Sequence, residues 1–326
     1  MNVIVVVGGS QLQFPLVEAA LREGKNVVCI DGDENCYCAK LADITFVNCD
    51  ISDPVSCILE LKNFDIENAV TAQSDVGVIL VEQLKKIINR SDENLIAAEI
   101  FTYKDKFRQY LRERDLSTAD FLIASITDDL TETIRRFSSL NFPIAVKPSD
   151  SSGSRGVTKV TDIQQLRKAI LKAFPFSKRG VILAESWFTG EEFGAQSFVD
   201  ERGYCVYLHH NDHVYNNIPV AHSETSKNHR LEEKIQTIVT DLSIKNAILN
   251  IDAVKFKNDV EIIEIGLRLG ATDIFKMVNE KFNVNIFVNI IRSDYKLNDF
   301  KSASKLYGIL FNPTEKKFIK NKSINS

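Results

Sequence analysis

The sequence has no long apolar run and little excess of charge of either sign. No stretch approaches the ~20 apolar residues that cross a bilayer, and the first residues enter a strand pattern without a basic leader. We therefore expect a cytoplasmic protein with no membrane partner. The 40 lysines and arginines against 44 aspartates and glutamates give a net charge of −4. Nucleic acid, which usually binds a basic face, is accordingly not an expected partner.

Motifs typical of several other chemistries are missing as well. Most of the 6 cysteines lie between Cys29 and Cys57, and the Cys36-x-Cys38 pair has no second close pair to complete a zinc site. These spacings favour reduced, mostly buried thiols, with a disulfide or a metal role as the remaining alternative. The spacing of a phosphate-binding P-loop is absent, and so are internal repeats and low-complexity stretches.

The residues that are present indicate a folded protein of more than one domain. At 326 residues the chain exceeds what one hydrophobic core usually organises, and 44% hydrophobic residues are typical of soluble folded proteins. Residues 3–7 form a β-branched run that ends at Gly8-Gly9-Ser10, and apolar residues then recur at helical spacing up to Gly24. Similar alternation of strands and helices continues to Ile88. This pattern predicts a doubly wound parallel α/β domain over residues 1–100.

Such a first domain also fits a nicotinamide-cofactor site. Asp31 follows the second strand, where an acidic residue would meet a ribose. However, the glycine turn after the first strand lacks the third glycine of that motif. We therefore interpret Gly8 and Gly9 as structural, and leave open whether they also help to hold a substrate. An NAD(P)-dependent oxidoreductase stays as an alternative function.

The rest of the chain changes to a mixed α+β pattern. Residues 101–184 predict a small lobe of strands and helices, and residues 185–326 predict antiparallel strands with helical cover. From Thr314 onward, a solvated tail is predicted by its basic residues Lys316, Lys317, Lys320 and Lys322. The expected fold class is thus α/β and α+β, with an N-terminal doubly wound domain followed by two lobes.

The most informative segment lies in the middle of the chain. A predicted strand ends at Lys147-Pro148 and is followed by Ser149-Asp150-Ser151-Ser152-Gly153-Ser154-Arg155-Gly156. Small residues let backbone N–H groups turn toward a multiply charged anion, and the lysine supplies a point charge. This combination suits a nucleotide phosphate. A flexible serine-glycine hairpin without a ligand is the alternative interpretation.

Four features, in this order, resemble the ATP-grasp superfamily and its carboxylate–amine ligases over nearly the whole chain. They are an Asp-Lys pair on a helix, a strand lysine before a glycine-rich loop, a hinge strand with a glutamate, and a late Glu-x-x-x-Arg. In this sequence they are Asp105-Lys106, Lys147 with its loop, the run from Ile182 to Phe188, and Glu264-Ile265-Gly266-Leu267-Arg268. The resemblance implies that a two-lobed ATP-grasp domain follows the N-terminal domain.

By that resemblance, three groups of residues would bind ATP. Lys106 and Lys147 would contact the phosphates, and Glu192 would take the ribose hydroxyls. The loop that closes over the phosphates would contribute its small residues Ser152, Gly153, Ser154 and Gly156. The adenine would lie along Glu185, Ser186, Trp187 and Phe188, where Ser186 stands in place of the lysine of many relatives.

The resemblance also implies Mg²⁺ or Mn²⁺, held by Asp252 and Glu264, because carboxylate oxygens are ligands that Mg²⁺ prefers. Many relatives have an asparagine two residues after the glutamate, where this chain has Gly266, so either one or two ions are compatible. An ordinary surface salt bridge is the alternative for either carboxylate. Arg268, together with Lys147, would stabilise charge on the transferring phosphoryl group.

The implied reaction joins two small molecules, a carboxylate and an amine. The carboxylate would attack the γ-phosphate of ATP to give an acyl phosphate, and an amine, favoured as an amino acid, would then form an amide and release phosphate. His222, which lies in the run that holds all 5 histidines, would orient the amine or take its proton. A nucleotide-binding protein without catalysis is a further alternative, which Gly266 motivates. A homodimer is compatible with the sequence.

Overall fold

The computed structural model describes residues 2–88, 94–215, 218–256, 259–271, 273–296, 300 and 309–310. The chain divides into two compact units, which are Met1–Ala98 with Phe193–Asp252 and Ile265–Ser326, and Glu99–Glu192 with Ala253–Glu264. The division into residues 1–100, 101–184 and 185–326 stays a prediction. Across the described ranges, no helix combines the length and the apolar character needed to cross a membrane.

The first unit begins with a four-stranded parallel sheet of strand order β3-β2-β1-β4. Its strands and helices are β1 (Asn2–Val7), α1 (Phe14–Arg22), β2 (Asn26–Asp31), β3 (Thr45–Asn48), α2 (Pro54–Leu61), β4 (Asp65–Val70) and α3 (Val78–Ile87). In β1, Ile4 and Val6 pack with α1, whereas Val3, Val5 and Val7 pack with α2 and α3. Because helices cover both faces, β1 is a continuous apolar run, and the predicted doubly wound sheet is confirmed.

The second unit contains a four-stranded antiparallel sheet of order β5-β8-β6-β7. After α4 (Leu95–Thr102) come α5 (Lys104–Glu113), β5 (Phe121–Ser125), α6 (Leu130–Phe137), β6 (Ile144–Pro148), β7 (Thr158–Val160), α7 (Ile163–Ala173) and β8 (Val181–Ser186). Helix α7 begins after Asp162, whose carboxylate accepts hydrogen bonds from the N–H groups of Gln164 and Gln165. The register pairs Ala145 with Glu185, so Lys147, two residues further along β6, projects from the same face as Glu185.

A six-stranded sheet of order β13-β12-β9-β10-β11-β14 contains the remaining strands. The elements are β9 (Glu191–Val199), β10 (Cys205–Tyr215), β11 (Ile218–Glu224), α8 (His229–Asp241), β12 (Ala247–Phe256), β13 (Asp259–Gly266), α9 (Ile274–Phe282), α10 (Ile286–Arg292) and β14 (Ile309–Leu310). Strand β10 pairs antiparallel with β9, as the predicted antiparallel pattern implies, and also with β11, which was not predicted. Helices α9 and α10 were not predicted, because the left-handed residue Asn283 and the cap Asn285 interrupt their apolar pattern. The basic tail from Thr314 lies outside the described residues.

Candidate functional site

Helix α5 turns two basic side chains into the interior of the second unit. Lys104 and Arg108 are one helical turn apart, and only 7% and 1% of their surfaces are exposed. They share the buried side of the helix with Phe107 and Leu111, at the i, i+3, i+4, i+7 spacing of an amphipathic helix. Because lysine and arginine are almost never fully buried unless paired, their partners define the site.

Glu185 on β8 supplies the counter-charge for Arg108. Arg108 Nε lies 2.5 Å from Glu185 Oε2, and Arg108 Nη2 lies 3.3 Å from Glu185 Oε1. The same guanidinium donates to the carbonyls of Ile262 and Ile263 at 2.8 and 3.1 Å. Lys147, on β6, places its Nζ atom 2.6 Å from Glu185 Oε1. One carboxylate therefore serves two buried cations, and the arginine also binds the backbone of β13.

The pKa values of Glu185 and Lys147 depend on burial and on the charges of neighbouring side chains. Burial alone would raise the pKa of Glu185, but the charges of Arg108 and Lys147 outweigh it and lower that pKa to about 2. Burial lowers the pKa of Lys147, and the charges of Arg108 and Lys104 lower it further, although Glu185 opposes them. Arg108 and Lys104 thus both repel the charge of Lys147, and an added anion would stabilise this group of cations.

Lys104 connects this cluster to Glu264 and to the glycine-rich loop. Its Nζ atom lies 3.0 Å from Glu264 Oε1 and donates to the Ser151 carbonyl at 2.8 Å. Its backbone N–H donates to the Ser149 carbonyl at 2.9 Å. The Glu264 side chain is still 33% exposed, so its carboxylate can accept a second cation from solvent. Two lysines and two carboxylates thus lie along one side of the second unit.

The first residues of the loop are fixed by polar contacts. Ser149 is fully buried, and its hydroxyl donates to Asp105, which also accepts from Arg179 Nη1 at 2.8 Å. Burial would raise the pKa of Asp105, but the hydrogen bonds from Arg179 and Ser149 lower it. Asp150 accepts from the Ser177 hydroxyl at 2.5 Å and from the Arg179 N–H at 2.9 Å. The base of the loop is therefore held in place before its glycines begin.

The tip of the loop adopts backbone conformations that favour glycine. Gly153 and Gly156 have φ angles of +65° and +78°, and Ser154 shares the left-handed region at +57°. At Gly156 a Cβ atom would lie 2.9 Å from the Phe176 ring, whereas at Gly153 it would meet nothing within 4 Å. Gly156 is therefore required by packing as well as by conformation, and the exposed tip at Gly153 is unobstructed.

Two serines connect the fixed base to this tip. The Ser152 carbonyl accepts from Arg155 Nε at 3.2 Å. The Ser151 hydroxyl is buried and has no hydrogen-bond partner among the described residues. Most buried polar atoms are hydrogen-bonded, so an orphaned hydroxyl calls for a partner. Because Lys104 binds the carbonyl of the same residue, the oxygen of an anionic ligand would suit this position.

Lys106, which the Asp-Lys pair predicted as a phosphate contact, does not join this cluster. It lies two residues after Lys104, about 200° further around the helix. Its Nζ atom pairs with Glu99 at 2.9 Å, and the two side chains are 42% and 44% exposed. Lys104, which the sequence did not single out, takes the inward position because the helical period decides which lysine faces the interior. Lys104 and Arg108 are four residues apart, at the spacing of the apolar residues on the same helix face, and this spacing could have identified Lys104.

In the segment predicted to bind adenine, two backbone N–H groups already donate hydrogen bonds to other parts of the protein. The N–H groups of Ser186 and Trp187 donate to the carbonyls of Asp120 and Pro143 at 2.9 and 3.1 Å. The Trp187 ring lies 4.7 Å from Lys159 Nζ, and the Phe188 ring packs edge-on against another aromatic ring. These two N–H groups are therefore engaged, and a nucleotide base would be bound by other groups. Nucleotide contacts of this segment stay a prediction.

A close backbone approach precedes the predicted ribose contact. A Cβ atom at Gly190 would lie 1.8 Å from the Lys255 carbonyl oxygen, so only glycine fits there. The side chain of Glu191 pairs with Lys255 Nζ at 2.8 Å. Glu192 is exposed on β9, which leaves its carboxylate accessible to a ligand. The role of Glu192 at the ribose stays a prediction.

In the first unit, Arg268 forms a bidentate ion pair with Asp75. Arg268 Nε lies 2.6 Å from Asp75 Oδ1, and Nη2 lies 2.9 Å from Oδ2. A Cβ atom at Gly266 would lie 3.1 Å from Asp75 Oδ1 and 3.4 Å from Arg268, so a larger side chain would crowd this pair. The same unit contains Asp252, which is exposed on β12. Metal binding by Asp252 and Glu264 stays a prediction.

Asp31 has a structural role in the N-terminal glycine turn. Its Oδ2 atom accepts from the Gly9 N–H at 2.6 Å, and its Oδ1 atom accepts from the Asp33 N–H at 2.9 Å. A Cβ atom at Gly9 would lie 2.4 Å from Cys36 Sγ. Gly9 is thus needed for packing, and Asp31 is already bound to the backbone. Both observations weigh against a nicotinamide cofactor at this turn. All six cysteines are free thiols.

The predicted His222 belongs to a cluster of titratable groups in the first unit. His210 Nδ1 and His222 Nδ1 lie 2.9 and 2.6 Å from the same oxygen, Asp212 Oδ1. Burial would raise the pKa of Asp212, but its hydrogen bonds with the two histidines lower it. The three groups lie within 4.8 Å of one another, as metal ligands do. A role of His222 toward an amine stays a prediction.

The sequence of this chain is similar to those of several known proteins. Residues 110–240 match the family model of the D-ala D-ala ligase C-terminus. A formate-dependent phosphoribosylglycinamide formyltransferase of Prochlorococcus marinus subsp. pastoris is 30% identical over 189 residues, which are 56% of this chain and 47% of that protein. A D-alanine–D-alanine ligase of Francisella tularensis subsp. novicida is 25% identical over 200 residues, which are 61% of this chain and 59% of that protein.

The chain thus spans about half the length of the curated relatives it matches. Among solved structures, the L-amino acid ligase from Bacillus licheniformis has a TM-score of 0.73 with this chain, at 16% sequence identity. That alignment covers 92% of this chain and 77% of the ligase. At this level of sequence identity, the likeness shows that the two proteins share a fold and no more.

Proposed function

We propose that this chain, a member of the ATP-grasp superfamily by its fold and by the family match, is an ATP-dependent carboxylate–amine ligase. The reaction would pass through an acyl phosphate and release ADP and phosphate. One observation carries the proposal. Arg108 and Lys147 share the buried carboxylate of Glu185, while Lys104 pairs with Glu264 and binds the carbonyl of Ser151, a loop residue whose hydroxyl is orphaned. A polyphosphate would supply the negative charge that this cluster lacks.

The residues present fit ATP, which when bound supplies the phosphoryl group that activates the carboxylate. Lys104 and Lys147 would hold its phosphates, and Arg108 would position Lys147 through Glu185. The loop from Ser151 to Gly156 would cover the phosphates and exclude water, because its base is fixed and its tip is free of packing contacts at Gly153. Magnesium or manganese would be held by Glu264 and Asp252.

The proposed reaction has two steps. A carboxylate oxygen attacks the γ-phosphorus while the bond to the β-phosphate oxygen breaks, and Arg268 and Lys147 stabilise the charge that develops. The amine nitrogen then attacks the activated carbonyl carbon, the bond to phosphate breaks, and the nitrogen loses a proton. Two of the similar proteins are by name ligases of alanine and of L-amino acids, which supports an amino acid as the amine. A cytoplasmic location is part of the proposal.

The test is a release assay for ADP and phosphate with the full chain, ATP, Mg²⁺ and a matrix of carboxylates and amines. We expect ADP and phosphate to appear together with at least one pair of substrates, and EDTA to abolish their release. Lys147→Met and Lys104→Met should each lower turnover by about 10²–10³-fold, the usual effect of removing one charge-stabilising donor. Lys168→Met, on the exposed side of α7, is the matched control and should leave turnover unchanged.

Other outcomes would contradict the proposal in different ways. A chain that binds ATP but releases no ADP with any pair would be a nucleotide-binding protein without catalysis. A chain that binds NADH and does not need ATP would be an oxidoreductase. If Lys106→Met abolished turnover while Lys104→Met retained it, the predicted Asp-Lys contact would be correct and the inward lysine would not bind phosphate.

A further inference from the structure

The segment Gly266–Gly270, which carries Arg268, is held at its last residue by two glutamine side chains of the first unit. The Gly270 N–H donates to Gln196 Oε1 at 2.9 Å, and Gln73 Nε2 donates to the Gly270 carbonyl at 3.0 Å. A Cβ atom at Gly270 would lie 2.6 Å from Asn250 Oδ1 and 2.8 Å from Gln196 Nε2. A larger residue here would therefore have to displace the Gln196 and Asn250 side chains, and Gln196 contacts the segment directly.

The contact with Gly270 determines the orientation of the Gln196 amide. A backbone N–H can only donate, so the amide oxygen must face Gly270, and the amide nitrogen must face the other way. That nitrogen donates to Asn250 Oδ1 at 2.7 Å and lies 3.3 Å from His210 Nε2. Because an amide nitrogen is only a donor, His210 Nε2 must be the acceptor and cannot carry a proton.

This order of donors specifies the tautomer of His210. With Nε2 unprotonated, the ring proton lies on Nδ1, which is 2.9 Å from Asp212 Oδ1 and donates to it. The ring packs closely on the backbone of Gly194, where a Cβ atom would lie 2.4 Å from His210 Cε1. A chain of hydrogen bonds thus runs from Asp212 through His210 and Gln196 to the Gly270 N–H.

A metal ion on His210, Asp212 and His222 would reverse this order. An ion bound to His210 Nδ1 forces the ring proton onto Nε2, which would then face the Gln196 amide nitrogen, and two donors would oppose each other at 3.3 Å. Turning the amide over would only move the clash to the Gly270 N–H. The hydrogen-bond order therefore favours a positioning role over a metal site.

We propose that Gln196 and His210 are positioning residues that fix Gly270 and, through it, the segment that carries Arg268. Asp212 acts through them by holding the His210 ring in the Nδ1–H tautomer. The effect on turnover rests on the proposed function, in which Arg268 stabilises the transferring phosphoryl group. The tautomer does not rest on it, so each part can fail separately.

The first experiment measures the tautomer without any turnover. Histidine ring ¹⁵N–¹H correlation spectra of the full chain should show the His210 ring, assigned by its absence from His210→Asn, with a proton on Nδ1 and none on Nε2. Adding Zn²⁺ alone should leave it unchanged. A His210 signal with the proton on Nε2, or zinc-dependent changes at His210 and His222 together, would overturn the proposal in favour of a metal site.

The second experiment separates positioning from packing. Gln196→Leu removes the acceptor for Gly270 and should lower kcat for ADP release by about 10–100-fold with an unchanged KM for ATP, as a misplaced catalytic group does. Gln196→Glu keeps that acceptor, so it should restore part of kcat. The carboxylate also faces His210 Nε2, so the spectra should show both ring nitrogens protonated.

Two results would count against this positioning role. A folded Gln196→Leu protein with the kcat of the wild type would show that Gln196 only packs. Equal losses in Gln196→Leu and Gln196→Glu would show that the Gly270 contact does not matter. If the wild-type chain released no ADP with any substrate pair, the proposed function alone would fail, and the ring spectra would still decide the tautomer.

Discussion

Arg108 offers the sharpest test of the buried cluster, because its contacts allow the cost of removing it to be worked out. Arg108→Met keeps most of the side-chain length but removes every donor. Of the two cations that now contact Glu185, only Lys147 would remain. The carbonyls of Ile262 and Ile263 would lose the hydrogen bonds that Arg108 donates. The variant therefore measures how much the hydrogen bonds and charge of the guanidinium contribute to stability, separately from its volume.

The expected loss of stability is large. Removing one partner of a buried ion pair costs about 3–5 kcal/mol, and leaving the buried Ile262 carbonyl without this partner costs about 1–3 kcal/mol. These terms describe the same region, which can relax and admit water, so they do not add fully. We expect the free energy of unfolding to fall by about 3–5 kcal/mol. Arg167→Met, on the exposed side of α7, should change it by less than about 0.5 kcal/mol.

Urea unfolding followed by tryptophan fluorescence is the assay. The chain has 1 tryptophan, and Trp187 lies in the second unit, two residues after Glu185, so the signal reports on the unit that contains the cluster. In a double-mutant cycle with Glu185→Gln, the coupling energy should be about 1–3 kcal/mol. If Arg108→Met costs no more than Arg167→Met, then Arg108 is not paired as described, and the charge argument for an anion site is wrong.

Two further predictions concern stability. Burial lowers the pKa of His209 from 6.5 to about 4, so the unfolded chain binds a proton at a pH where the folded chain does not. The free energy of unfolding should therefore fall as the pH drops from 6.5 toward 4, and His209→Gln should remove that slope, whereas His229→Gln, whose side chain is 81% exposed, should preserve it. Gly190→Ala should cost more than about 2 kcal/mol, because its Cβ atom would lie 1.8 Å from a carbonyl oxygen. Gly153→Ala, with no contact within 4 Å, should cost only the left-handed strain of about 1 kcal/mol, and equal losses in urea unfolding would refute the packing argument.

The sequence was most informative where local pattern and tertiary structure agree. The β-branched run of β1 has a helix on each face, so periodicity alone predicted the doubly wound sheet. Lys147 lies near the end of a strand whose preceding residues are apolar. Its position just before a run of small residues was visible without a structure. In both cases the informative pattern lies within a few residues along the chain.

Sequence patterns were least informative where the deciding contact is distant along the chain. The motif pointed to Lys106, but Lys104 faces inward because it shares a helix face with Arg108, whose partners lie on β8 and β13. The pairing of Arg268 with Asp75 joins residues 193 positions apart. Helices α9 and α10 pack into a core built mainly from other elements, so their own sequences carried too little signal. No local pattern specifies such partners.

The second unit is discontinuous in sequence, since residues 253–264 complete the stretch 99–192. A fragment excised at residue 192 would lack the two carbonyls that bind Arg108 and the carboxylate that binds Lys104. Lys104 and Arg108 would then lose part of their hydrogen-bond and ion-pair partners. We expect the fragment to be more easily cleaved by proteases for that reason. Exchanging this module between related enzymes would therefore require transplanting both stretches together, and a chimera that swaps only the longer one should fail to fold.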